Sequence, residues 1–200
     1  MKEMRPTMGV VKSALFNILG NINGRSFLDL FSGSGQIALE AHRRGAAPVV
    51  CVEAERSRHA EIAKRAPRRL TCLRMDARRA VSRFAKRGES FDIIFADPPY
   101  KLGWGKEFPR LIAENIGILA AGGVIIFEHA EEEEAADIAP GWAREERRYG
   151  GAVLTLYRRE ENDQSGIPGL VRPDNERAHI YIGTRGGALR RADRRGPREP

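Results

Sequence analysis

The chain reads as an α/β domain with a mostly parallel, seven-stranded sheet that ends in an antiparallel hairpin. Three observations predict this. Short apolar runs of strand type alternate with stretches of helical spacing for most of the 200 residues. The first run passes directly into the glycine turn Ser32-Gly-Ser-Gly35 and then into a helical pattern. The last two runs are separated by Gly150-Gly151, a turn suited to joining antiparallel neighbours.

Val10 to Leu19 carries apolar residues at helical spacing and stops at Gly20-Asn21, so a helix precedes the sheet. Strands are expected at 26–31, 48–53, 70–75, 91–96, 123–128, around 142–149 and at 152–158. The second helix runs through Ile37, Leu39 and Ala41, and a later one starts near Phe108 and stops at Ala120-Ala-Gly-Gly123. The acidic run Glu131 to Glu134 is expected to open a further helix, where negative charge favours the dipole, with no function assigned to it. Beyond Arg159 the chain turns polar and rich in Gly and Pro, with six Arg against two acids from Arg185 to Pro200. Residues 1–159 are therefore read as the folded domain and 160–200 as a basic, disordered tail, within which His179-Ile-Tyr-Ile182 has the pattern of a short strand.

Two hundred residues at 42% hydrophobic content suit one domain with a full core. No apolar run has the length of a membrane span and no secretory h-region opens the chain, so a cytoplasmic protein with no membrane partner is expected. Cys51 and Cys72 lie in apolar strand-like runs without metal spacing and read as reduced core cysteines; no metal site is expected. The net charge is +7 and unevenly placed: residues 56–87 hold twelve Lys or Arg against Glu61 and Asp76. A solvated face explains any single one of these, whereas the cluster, with Arg78 and Arg79 within it, favours polyanion binding.

Gly33 and Gly35 let the backbone bend sharply after a strand, while the following helix presents free N–H groups to a ligand. Asp29, Phe31, Gly33, Ser34 and Gly35 lie in or beside this turn. The next strand ends at Glu53, placed where an acid receives ribose hydroxyls. Read literally, Gly33-Ser-Gly35-Gln-Ile-Ala38 also fits a dinucleotide fingerprint, a weak signal alone. Asp29, able to face a cationic group, and the tetrapeptide Asp97-Pro-Pro-Tyr100 favour S-adenosylmethionine over a nicotinamide or flavin.

That tetrapeptide follows the apolar run Phe91-Asp-Ile-Ile-Phe-Ala96, at a strand's carboxyl end. Pro98 and Pro99 remove two backbone donors, so the strand stops and the carbonyls of Asp97 and Pro98 face a ligand. A carboxylate, an acceptor wall and the Tyr100 ring suit a planar base with an exocyclic amine, and hence its N-methylation. Trp104 and Phe108 follow closely, either closing over that base or packing in the core.

Arg5-Pro-Thr7, Ala14-Leu-Phe-Asn-Ile-Leu19, Leu28-Asp-Leu-Phe-Ser-Gly-Ser-Gly35, Leu39-Glu-Ala41, Arg44-Gly-Ala46, Val52-Glu53 and Asp97-Pro-Pro-Tyr100 occur here in order. The region from about residue 5 to residue 158 resembles the RsmD-type 16S ribosomal RNA (guanine-N2) methyltransferases. The resemblance implies the class I S-adenosylmethionine-dependent, Rossmann-like fold and methylation of the guanine conventionally numbered 966. The partner it implies is 16S rRNA or the assembling small ribosomal subunit, bound by a monomer. It further implies Asp76 and Ala77 beside the adenine of the cofactor, and Arg5 and Thr7 on the substrate side. Asp76 also reads as a helix N-cap. Met8, Gly9 and Ser13 depart from the family's pattern, and only Met1-Lys-Glu-Met4 stands where members carry a basic β-hairpin, so a reduced RNA grip is expected. Two other readings remain: another amine acceptor, such as DNA adenine N6 or a protein amide, and an inactive fold that only binds RNA.

Overall fold

The structure is a computed structural model that describes residues 8–100 and 102–160. Arg5, Thr7 and the tail with its expected strand lie outside the described residues. Seven strands form one sheet: β1 (Phe27–Asp29), β2 (Val49–Glu53), β3 (Leu70–Arg74), β4 (Phe91–Ala96), β5 (Leu119–Ala130), β6 (Trp142–Tyr149) and β7 (Ala152–Arg159). Their order is β3-β2-β1-β4-β5-β7-β6. The first five are parallel, and β7 runs antiparallel between β5 and β6. Strand order reverses between β1 and β4, so a crevice opens beyond their carboxyl ends, the general ligand position in open α/β sheets.

Helices cover both faces: α1 (Met8–Leu19), α2 (Gln36–Arg43), α3 (Arg56–Arg65), α4 (Ala77–Arg87) and α5 (Trp104–Glu114). Leu15 and Phe16 of α1, Ala38 and Ala41 of α2 and Ile62 of α3 share one core with Phe27, Val49, Cys51, Phe95 and Ile126 of the strands. On the opposite face Phe108 of α5 stacks on Phe127 of β5 at 4.9 Å. Burial on both faces explains why the central strands are continuous apolar runs rather than alternating ones. Below the crevice, Asp92 Oδ2 accepts from the Ser26 N–H at 2.8 Å and the Ser26 hydroxyl at 2.6 Å, which pins β1 to β4 in register.

Several boundaries differ from expectation. The first strand is three residues rather than six; beyond Asp29 the Leu30 and Ser32 N–H groups still reach the Phe95 and Val52 carbonyls, after which the backbone bends into the glycine turn. Helix α5 begins at Trp104, not near Phe108, although it then contains Pro109. A proline there removes the N–H that would meet the Gly105 carbonyl, and the Ala136 N–H donates to that carbonyl instead, at 2.8 Å. Ala120 to Gly123 lies within β5 rather than ending a helix; the register slips there, from Phe91 opposite Leu119 to Ile93 opposite Val124. The run Glu131 to Glu134 opens no helix. It docks on the first turn of α5, where Glu133 Oε1 accepts the Gly105 N–H at 2.7 Å. The Glu134 carbonyl lies so near that a Cβ at residue 105 would sit 2.3 Å from it. Tertiary hydrogen bonds to an unoccupied helix terminus outweigh the local dipole preference of four acids.

No helix among the described residues is long and apolar enough to cross a membrane. No group of His, Cys, Asp and Glu among them is arranged to hold a metal ion.

Candidate active site

The turn after β1 is held from three sides. The Ser32 N–H donates to the Val52 carbonyl at 3.0 Å, and the Ser32 hydroxyl donates to the Asp29 carbonyl at 3.1 Å. The Gly33 N–H donates to Glu53 Oε2 at 2.8 Å, while Glu53 Oε1 accepts the Glu55 N–H at 2.8 Å. From the end of α3, Arg65 donates to the Ser34 carbonyl at 2.7 Å. Gly35 sits at φ 77° as the N-cap of α2, and a Cβ there would meet Ile62 at 2.9 Å. Only glycine satisfies both the left-handed backbone and that approach. Without a capping side chain at Gly35, the first N–H groups of α2 remain directed at the crevice.

Three carboxylates line the carboxyl ends of the central strands. Asp29 ends β1 and is 1% exposed; neither oxygen meets full hydrogen-bond geometry among the described residues, although the Ser32 side chain and the Phe31 and Ala38 backbones lie near enough to favour its charged form. Burial raises its pKa from 3.8 to about 7, opposed by those neighbours and helped by the like charge of Asp97. Asp97 follows β4 and is exposed, Pro98 is buried, Pro99 is exposed and Tyr100 is half-buried. The third acid, Glu128, is 8% exposed and lies on β5, one residue past the Ala96–Phe127 pairing that ends β4. The Tyr100 hydroxyl approaches Glu128 Oε1 at 3.5 Å. Strand alternation puts Glu128 on the same face as Ile126, which shares its core with Phe27 and Phe95. Asp29 belongs to that face too, two residues after Phe27.

A wall made by α4 and α5 closes one flank. Asp76 is the N-cap of α4, its Oδ1 accepting the Arg78 N–H at 2.8 Å. Arg78 grips both oxygens of Glu107 on α5, with Nη2 to Oε2 at 2.7 Å, and its guanidinium lies 4.2 Å over the Trp104 ring. Trp104 meets Phe31 edge-on at 4.9 Å. Trp104 is 3% exposed and Phe108 fully buried, so of the two readings of these aromatics the geometry is that of packing. Arg78, read from the sequence as part of the polyanion-binding cluster, also bridges α4 to α5; Arg79 is exposed and makes no ion pair among the described residues.

The topology sets Asp29, Phe31, Gly33, Ser34, Gly35, Glu53, Asp76, Ala77 and Asp97 to Tyr100 at or just beyond the carboxyl ends of β1, β2, β3 and β4, on one edge of the sheet. Glu128 and Glu107 lie beside these residues and were not read from sequence, whereas Arg65 was read only as one cation of the phosphate-binding stretch. For Glu128 a signal existed: it is an acid directly after the apolar run Val124-Ile-Ile-Phe127.

Comparison with known proteins agrees with this architecture. The family described as Conserved hypothetical protein 95 matches residues 1–158. The Escherichia coli (strain K12) protein named Ribosomal RNA small subunit methyltransferase D is 32% identical over 165 residues, covering 81% of this chain and 83% of its own. A solved conserved hypothetical protein of Streptococcus pyogenes is 30% identical, with a TM-score of 0.63, covering 73% of this chain and 93% of that one. The crystal structure of an S-adenosylmethionine-dependent methyltransferase from Agrobacterium tumefaciens, 18% identical, shares the fold at a TM-score of 0.57, over 78% of this chain and 63% of that one. The fold is that of the class I methyltransferases, and the chain belongs to the Conserved hypothetical protein 95 family, that of the RsmD-type methyltransferases.

Proposed function

We propose that the chain transfers a methyl group from S-adenosylmethionine to the exocyclic N2 of a guanine in 16S ribosomal RNA, either naked or in the assembling small subunit. The observation that carries this reading is the juxtaposition, at the strand-order reversal, of the buried Asp29, its pKa raised chiefly by desolvation, with the turn Asp97-Pro-Pro-Tyr100. The name of the Escherichia coli relative supports the RNA substrate.

The residues present fit the cofactor. A buried carboxylate whose charged form is strongly desolvated is costly unless a cation meets it, and the cofactor's amino-acid end carries an ammonium. Asp29 would hold that end, Glu53 the ribose hydroxyls, and Asp76 with the Ala77 backbone the adenine, while Gly33 and Gly35 allow close backbone approach. The cofactor, when bound, supplies an electrophilic methyl group on a sulfonium.

The chain's own residues then orient the acceptor and manage its charge. Guanine N2 is a weak nucleophile because its lone pair is delocalised into the ring. Acceptor bonds from Asp97 and the Pro98 carbonyl to the two N2 hydrogens turn that lone pair out of conjugation and toward the methyl group. Tyr100 stacks on the base and Pro99 borders it. As the new N–C bond would form and the methyl group's bond to sulfur break, leaving a neutral thioether, N2 would gain positive charge, which the Asp97 carboxylate would stabilise before taking one N2 proton, directly or through water.

The test is transfer of labelled methyl from S-adenosylmethionine to small-subunit rRNA or particles from a strain lacking the gene, with the product located by mass spectrometry. A single N2-methylguanine is expected. Label in another acceptor, or calorimetric binding of NAD with none of S-adenosylmethionine, overturns the proposal.

A further inference from the structure

The acceptor turn alone does not separate guanine from adenine, since both carry an exocyclic amine. Their Watson–Crick edges differ beside that amine. Guanine presents N1–H next to N2–H2, two donors in a row, whereas adenine presents a bare N1 acceptor beside N6–H2. A site that reads the difference needs a second acceptor next to the one that holds the amine.

Glu128 is placed to be that acceptor. It projects from β5, the parallel neighbour of β4, one residue past the last paired position, and it shares the sheet face of Asp29. The Tyr100 hydroxyl reaches its Oε1 at 3.5 Å, so its carboxylate borders the same turn that carries Asp97. Ionised, Glu128 can only accept hydrogen bonds.

We infer that Glu128 is the residue that selects guanine, its carboxylate accepting N1–H while Asp97 accepts from N2. This rests on the N2-methylation reading above. Adenine offered to the same pair places its N1 lone pair against the Glu128 carboxylate and is rejected by repulsion and by an unmet acceptor. The Tyr100 hydroxyl, directed at Glu128, holds the carboxylate at the edge of the ring that stacks the base. No proton moves to Glu128 in the reaction, so it is a specificity residue.

The probe is a cognate rRNA segment carrying either guanosine or 2-aminopurine riboside at the methylated position. The second base keeps the 2-amino group but has a bare N1. Wild-type protein is expected to favour guanosine in kcat/KM by roughly a hundred-fold or more. In E128Q the amide can donate to a bare N1, so the preference should narrow by roughly ten-fold or more, with S-adenosylmethionine affinity unchanged. E128D, which keeps the carboxylate, should retain a preference for guanosine. Both variants see the same two bases, so the loss of O6 in 2-aminopurine cancels from the comparison. A wild-type preference near unity overturns the inference without reference to any variant. An E128Q that binds cofactor normally but keeps the full wild-type preference overturns it as well. Wild-type protein that methylates an acceptor other than guanine overturns the N2 reading itself, and this inference with it.

Discussion

The Gly33 N–H donates to Glu53 Oε2 at 2.8 Å, making the turn after β1 and the acid at the end of β2 one hydrogen-bonded unit. The second oxygen of Glu53 anchors the Glu55 N–H, at the N-cap of α3. Removing this carboxylate unties the turn and deletes the proposed ribose acceptor together. Glu53→Ala is expected to weaken S-adenosylmethionine binding by about ten- to a hundred-fold, the loss of a charge-assisted bond. Titration calorimetry checks this, and affinity within two-fold of wild type would remove Glu53 from the site.

Asp29 makes the protein's stability depend on pH in an unusual sense for a carboxylate. Its folded pKa, about 7, lies above the ordinary value of 3.8. Between those values the folded chain holds a proton that the unfolded chain has lost, so raising the pH favours unfolding. The contribution is present below about pH 4 and fades as the pH rises through 7. It amounts to at most about 4 kcal/mol. Asp29→Asn should flatten this component of the stability–pH curve, measured by denaturant unfolding in the absence of cofactor. A cationic ligand prefers the ionised form, so S-adenosylmethionine should bind with proton release below pH 7. Identical calorimetric heats in buffers of different ionisation enthalpy at pH 6 would contradict this.

Asp97 is assigned to the acceptor amine and not to the cofactor, so its removal should separate the two activities. Asp97→Ala is expected to lower single-turnover methyl transfer by roughly a hundred-fold or more while leaving cofactor affinity within a few-fold. Near wild-type transfer by this variant would end its proposed role.

The sheet, the glycine turn and the Asp97 turn were legible because each depends on local constraints. Uninterrupted apolar runs mark buried parallel strands, Gly35 occupies a left-handed N-cap, and two prolines force β4 to stop. What was illegible depends on contacts distant in sequence. Glu133 reads as a helix opener until Gly105, 28 residues earlier, is seen to take its carboxylate. Arg78 reads as one cation among many until Glu107 and Trp104 are seen beneath it. Glu128 comes beside the Asp97 turn only because β5 lies next to β4, an adjacency that the order of the runs along the chain does not specify.

Arg78 and Arg79 are adjacent in sequence and should behave differently. Arg78 bridges α4 to α5 through Glu107 and covers Trp104, just beyond the acceptor turn, whereas Arg79 is exposed and makes no ion pair among the described residues. Arg78→Gln is expected to cost about 1 kcal/mol of stability and to lower kcat more than RNA affinity, because it loosens the flank of the site. Arg79→Gln should leave stability unchanged and weaken RNA binding alone. Thermal unfolding beside filter-binding titrations decides this, and matching profiles for the two variants would refute the distinction.

The distribution of paired and unpaired cations points to the sheet edge that meets RNA. On the β6 side, Arg144, Arg147 and Arg148 each lie within 4 Å of a carboxylate, from Asp137 or Glu146, Glu145, and Glu131 or Glu146 respectively. On the β3 side, Arg68, Arg69, Arg79 and Arg83 are exposed and make no ion pair among the described residues. Unneutralised cations bind phosphates at the cost only of counterion release, whereas paired ones must first surrender a partner. Replacing Arg68, Arg69, Arg79 and Arg83 together with Gln should therefore weaken RNA binding similarly for all sequences. It should also reduce the slope of log K against log salt by about one for each phosphate that the variant no longer neutralises. Replacing Arg147 and Arg148 should change that slope far less. Methyl transfer at saturating RNA should persist in the quadruple variant, because none of the four reaches the crevice in this assignment. A salt slope that falls instead when the β6 pair is replaced, and stays fixed when the β3 set is, would place the RNA on the opposite edge of the sheet.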